Sequence, residues 1–179
     1  MDKKELAKRI YEKSHIIGNF TLRSGQRSNE YFDKYLFESD PKILVEIIKE
    51  MKLLIPEETD IIAGLEMGGI PLVTALSIET GIASAFVRKK AKEYGTCKIA
   101  EGNDIQNKNV CIIEDVVTTG GQIIESVNEL RSRGAKIQNV ICVILRNNEA
   151  IELLKKEKLE IKFVFSMEHI KSIIEGKII

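Results

Sequence analysis

Apolar positions along the chain alternate between two periods, and the changes of period mark its elements. Leu6, Ile10 and Ile17 recur at helical spacing behind Asp2 and Glu5, a capping-box-like start, and Gly18 closes the pattern. Between Phe20 and Phe37 that period is lost. Aromatic residues gather on both sides of Ser24-Gly25, which predicts two short strands around a turn. Asp40-Pro41, a cap followed by a first-turn proline, opens a helix that Ile43, Leu44, Ile47, Ile48, Met51 and Leu54 continue.

From residue 40 onward, apolar strand-like runs alternate with helical patterns. Strands are predicted at Asp60 to Ala63, Ala83 to Val87, Val110 to Ile113, Gln138 to Leu145 and Ile161 to Phe165. Helices are predicted from Pro71 to Gly81, from about Gly121 to Arg133, from about Glu149 to Lys158, and in one short segment at the end. Strands this apolar are buried on both faces, so the fold class is α/β with a mainly parallel central sheet flanked by helices. The length, 179 residues, fits one domain or one domain with a small appendage, and a single domain over 1–179 is expected.

In such sheets ligands bind beyond the carboxyl ends of the strands, where strand order reverses. Two small-residue loops open at that edge, Gly64-Leu-Glu-Met-Gly-Gly69 and Thr118-Thr-Gly-Gly121, and Arg146 follows the strand ending at Leu145. The second loop is preceded by two adjacent acids, Glu114 and Asp115. Loop amides and a helix N-terminus suit a phosphate, whereas the carboxylates suit hydroxyl groups or a divalent metal. Arg88-Lys-Lys-Ala-Lys-Glu-Tyr-Gly-Thr-Cys-Lys98, continuing through Glu101-Gly102 to Asp104, is either a solvated loop or a basic lid over an anionic ligand. The aromatic hairpin either packs on the core or covers a planar ligand.

Composition narrows the field. Lys+Arg and Asp+Glu balance at 27 each, so no global field draws the chain to nucleic acid or an acidic membrane. No apolar run is long enough to cross a bilayer, and a cytoplasmic, reducing setting is expected. Cys97, Cys111 and Cys142 have no C-x-x-C spacing; the latter two lie in apolar runs and read as buried thiols. With only His15 and His169 besides, a structural zinc site is not expected. Walker A, Rossmann and nucleophile-elbow motifs are absent.

Ile112-Ile-Glu-Asp-Val-Val-Thr-Thr-Gly-Gly121 resembles the phosphoribosyl-pyrophosphate (PRPP) signature of type I phosphoribosyltransferases. Phe20-Thr-Leu-Arg-Ser-Gly-Gln-Arg-Ser28 with Tyr31-Phe32 resembles the N-terminal hairpin of the orotate phosphoribosyltransferases. Arg88-Lys89, Lys92 and Glu101-Gly102 resemble their mobile loop, and Arg146 stands at their orotate-binding arginine. The resemblance implies the type I fold, with residues 1 to about 38 forming a small N-terminal hood that contains the hairpin. It implies transfer of phosphoribosyl from PRPP to orotate in pyrimidine (UMP) biosynthesis, with Mg²⁺ required, by a homodimer with shared active sites. No nucleic-acid or membrane partner is implied.

The same resemblance assigns the site. Val116, Val117, Thr118, Thr119, Gly120, Gly121 and Gln122 would line the ribose 5′-phosphate, and Glu114 and Asp115 would hold the ribose hydroxyls. Met67 and Gly68 would contact pyrophosphate, and Arg88, Lys89, Lys92 and Tyr94 would surround it, with Asp115, Arg88, Lys89 and Lys92 as the catalytic set. Arg23, Tyr31, Phe32, Thr118 and Arg146 would bind orotate. Mg²⁺ would arrive on PRPP, with Glu114 and Asp115 the protein groups able to meet it. Three positions depart from the pattern: Arg23 stands for a lysine, Tyr94 for a loop histidine, and Gly68 where some members have lysine. Two rival readings are a transferase for a purine or another pyrimidine, and a regulator that binds PRPP without turnover.

Overall fold

Asp2, Asp40 and Ser166 each turn a side-chain oxygen onto the backbone N–H groups of the helix that follows, and these caps set three helix starts. A computed structural model describes residues 1–21, 25–90 and 98–176. Arg23, Lys92, Tyr94, Cys97 and the Ser24 half of the expected turn lie outside the described residues. The chain runs α1 (Lys3–Ser14), β1 (His15–Thr21), β2 (Arg27–Phe32), α2 (Lys34–Glu38) and α3 (Pro41–Lys52). It continues through β3 (Ile61–Leu65), α4 (Gly69–Thr80), β4 (Ala83–Val87), β5 (Ala100–Gly102) and β6 (Asn109–Val117). It ends with α5 (Gly121–Ser132), β7 (Lys136–Leu145), α6 (Glu149–Lys156), β8 (Glu160–Ser166) and α7 (Met167–Ile174).

Strands β1 and β2 form their own antiparallel hairpin, and the other six make one sheet in the order β5-β4-β3-β6-β7-β8. All its neighbours are parallel except β4 and β5. From β3 the chain goes outward to β4 on one side, and β6 lies on the other, so strand order reverses between β3 and β6. The connecting helices separate at the same place. Leu72, Val73 and Leu76 of α4 join the core on one face, with α1, α2, α3 and α7. Ile123, Val127 and Leu130 of α5 join the other, with Ala150 and Leu154 of α6. A crevice opens where helices leave a parallel sheet in opposite directions.

The parallel α/β fold expected from the apolar runs is present. Three local expectations are not met. The first helix stops at Ser14 and not at Gly18, and Ile17 lies on β1 with 83% of its surface exposed. His15, Ile16 and Ile17 pair with Phe32, Tyr31 and Glu30. That cross-strand pairing outweighs a helical spacing carried by one isoleucine. The second hairpin strand ends at Phe32, because the Asp33 carboxylate accepts from the Tyr35 N–H at 3.1 Å and starts α2. Ala100 to Gly102, read as part of the basic loop, is an edge strand on β4. Among the described residues no helix is long and apolar enough to cross a membrane.

Candidate active site at the sheet switch point

Strand β6 carries the two acids near its end, just past Ile113, the last residue that pairs with β3. Asp115 is wholly buried, and Glu114 is partly so. The Asp115 N–H donates to Glu114 Oε2 at 3.1 Å, and the Val116 N–H donates to Asp115 Oδ1. The other oxygen, Oδ2, meets the ammonium of Lys34, with Nζ at 2.5 Å. This contact is an ion pair between a partly exposed ammonium and a wholly buried carboxylate. Glu38, one turn along α2 from Lys34, is buried beside them, and neither of its oxygens accepts a hydrogen bond.

Three acids and one lysine in so little water cannot all carry full charge. Burial, and then Asp115, hold the Glu38 carboxyl up at about 9. Burial and Asp115 likewise hold Glu114 up at about 8. Burial alone would lower the Lys34 ammonium, but its contact with Asp115 outweighs this and raises it. At neutral pH the cluster therefore keeps Lys34 charged and holds both Glu38 and Glu114 toward their protonated forms.

Neither helix that starts at the crevice has a side-chain cap. Gly68 precedes α4, and Gly120, at φ 80°, precedes α5. The first amides of α5, with the exposed hydroxyl-bearing residues Thr118 and Thr119, are open to an anion. The glycines of the 64–69 loop are required by packing within the protein. A Cβ at Gly64 would run into Gly69 and Val73, and a Cβ at Gly68 would fall on the Asp115 carboxylate. They let β3, α4 and β6 close on one another. Met67, between them, is 60% exposed.

The base of the basic loop leans on the same edge. The Lys89 N–H donates to Glu66 Oε1 at 2.6 Å, which leaves the Lys89 ammonium exposed next to the 64–69 loop. Arg88 Nε lies 3.5 Å from Glu101 Oε1. The Arg146 N–H donates to Val117 O at 2.8 Å, which sets its exposed side chain beside the end of β6. On the hairpin, successive residues point to opposite faces. The Phe32 ring turns inward, with Tyr11 and Phe37 each 6.4 Å away by ring centroids, while Tyr31 lies tilted against Phe20 at 5.4 Å and remains 45% exposed. Tyr31 is thus the ring of the pair free to meet a ligand.

Neither Lys34 nor Glu38 stands out in the sequence. Four residues apart, they share a helix face, but that spacing has meaning only once the segment is helical and not strand. Cys111 and Cys142 are buried free thiols, and burial pushes Cys111 up to about 12 and raises Cys142 as well. The described residues gather no group of three or more His, Cys, Asp or Glu able to hold a metal. Two adjacent carboxylates, one of them closed off by Lys34, fit Mg²⁺ only as an ion carried on a polyphosphate ligand.

The phosphoribosyl transferase domain family matches residues 40–175. An orotate phosphoribosyltransferase from a Nocardioides species is 48% identical over 151 residues, covering 84% of each chain. Among solved structures, Mycobacterium tuberculosis orotate phosphoribosyltransferase with Fe(III) dicitrate superposes with a TM-score of 0.85 at 27% identity, over 95% of this chain and 99% of that one. The same enzyme in complex with PRPP gives 0.81 at 25% identity, over 96% and 99%.

Proposed function

Because the chain belongs to the phosphoribosyltransferase family, among the orotate phosphoribosyltransferases, we propose that it transfers the 5-phosphoribosyl group of PRPP to orotate. The products are orotidine 5′-monophosphate and pyrophosphate. One observation carries the reading. At the sheet's switch point an acid pair ends β6 and runs directly into the uncapped start of α5, beside the loop that starts α4. Such a crevice offers carboxylates for a sugar between two separate places for phosphate.

The roles follow from charge and reach. Amides and hydroxyls over Thr118 to Gln122 hold the 5′-phosphate, with Val116 and Val117 forming the strand end beneath. Glu114 takes the ribose hydroxyls directly, and Asp115 adds negative charge under the sugar ring. As the bond from C1′ to the pyrophosphate oxygen breaks, its electron pair leaves with pyrophosphate, and the base nitrogen supplies the new pair while its proton passes to solvent. Asp115 opposes the positive charge that develops on the sugar. Met67, Gly68 and Lys89 meet the departing pyrophosphate, Arg88 joins them once it leaves Glu101, and the resemblance assigns Lys92 and Tyr94, outside the described residues, to the same group. Tyr31 covers the pyrimidine while Phe32 supports it from behind, and Arg146, Arg23 and Thr118 hold the orotate side, Arg146 by its fork on the carboxylate. Mg²⁺ bound to PRPP neutralises part of the diphosphate charge.

The same reading gives a hood over 1 to about 38, a cytoplasmic enzyme, and a homodimer whose sites are shared. A panel of bases tests it. With PRPP and Mg²⁺ the protein should consume orotate and leave adenine, hypoxanthine and uracil untouched. Consumption of one of those bases with orotate inert would overturn the assignment.

A further inference from the structure

We propose that Lys34 is a positioning residue of the donor site, holding Asp115, and through it Glu114, from the hood helix in the space left by Gly68. The inference rests on the transferase reading for the ligand it names. It is carried by the surroundings of a single oxygen atom. Asp115 is wholly buried, and a buried carboxylate persists only with a cation or several donors around it. Its Oδ1 is taken by the Val116 N–H, and its Oδ2 lies between the Lys34 ammonium and the Cα of Gly68. A side chain at 68 would begin on that oxygen, so Gly68 leaves the space and Lys34 supplies the charge.

Lys34 can hold a direction because α2 is itself held. The Asp33 carboxylate caps its first turn, the Asp33 N–H donates to Ser14 O at 2.8 Å, and Phe37 is wholly buried in the core against α1. Asp115 in turn gives its N–H to Glu114 Oε2, so a shift of Asp115 moves the acid that faces the cleft. A chain of contacts therefore runs from α2 through Lys34 and Asp115 to Glu114. The Lys34 side chain is 33% exposed, placing it at the boundary between the buried acid and the open crevice.

An ion pair that served stability alone would affect every ligand of the site alike. A positioning residue for the acid pair affects ligands that carry ribose hydroxyls. Calorimetric binding of PRPP and of inorganic pyrophosphate, both with Mg²⁺, separates the two. Lys34→Met should weaken PRPP by about tenfold or more and change pyrophosphate by no more than about twofold. Lys34→Arg, which keeps the cation, should recover PRPP binding to within about threefold of the original chain. Where Lys34→Met does not fold, the change is made in Asp115→Asn, which leaves no buried charge unpaired. There it should cost PRPP no further affinity.

Equal weakening of both ligands, no weakening of either, or a further loss in the Asp115→Asn background would overturn the role. A native chain that binds PRPP yet consumes no orotate would instead refute the base assignment and leave the Lys34 comparison readable.

Discussion

Gly68 and the carboxylate of Asp115 are packed so closely that residue 68 has no room for a side chain. Gly68 has an ordinary helical φ of −65°, so the obstacle is contact and not backbone strain. Gly68→Ala must push Asp115 off Lys34 or move α4 away from β6. It should cost about 1–3 kcal/mol of stability, as overpacking does, and lower kcat about tenfold or more. Urea unfolding with initial rates checks both. An unchanged rate would show that Asp115 is free to relocate.

Glu38 ties stability to pH. Its folded pKa of about 9 lies above its ordinary value of 4.5, so the folded chain keeps a proton that the unfolded chain gives up. Its contribution is complete below the ordinary value and is lost as pH rises toward the folded one. Glu38→Gln is neutral throughout. Its stability relative to the original chain should therefore increase from about pH 5 to about pH 9, with a slope approaching about 1.4 kcal/mol per unit. A difference that stays level with pH would contradict a protonated Glu38.

Arg146 leaves β7 beside the end of β6 with its side chain exposed. If its fork holds the orotate carboxylate, Arg146→Ala should raise the orotate KM about tenfold or more and alter kcat by about threefold at most. Steady-state kinetics with orotate varied at saturating PRPP decide this. An unchanged KM would exclude the contact.

Lys89 has its backbone fixed by Glu66 and its ammonium in solvent, so it can meet charge that appears on the leaving pyrophosphate. Lys89→Ala should lower kcat by about a hundredfold with the orotate KM nearly unchanged, the pattern of an interaction made in the transition state. Equal losses in binding and turnover would place Lys89 in ground-state binding instead.

The long apolar runs read directly as strands because burial on both faces leaves a continuous signal, and the Asp40 cap is visible for the same local reason. Glu114, Asp115 and the 118–122 loop are likewise adjacent in the sequence. What the sequence hides is convergence between elements. Ile17 continues a helical spacing yet pairs in β1, because its partner Glu30 is distant in sequence. Tyr35 and Phe37 resemble strand aromatics until the Asp33 cap makes α2, and only then do Lys34 and Glu38 face the same acid. Gly68 looks like a loop glycine for a ligand, although its neighbour is a side chain almost fifty positions away.

The most direct test is to follow orotate absorbance and pyrophosphate release together after PRPP and Mg²⁺ are added to the purified protein. The expected result is loss of orotate matched one for one by pyrophosphate, with orotidine 5′-monophosphate as the nucleotide product. PRPP that binds while orotate stays constant and no pyrophosphate appears would contradict the account and favour a PRPP-binding regulator.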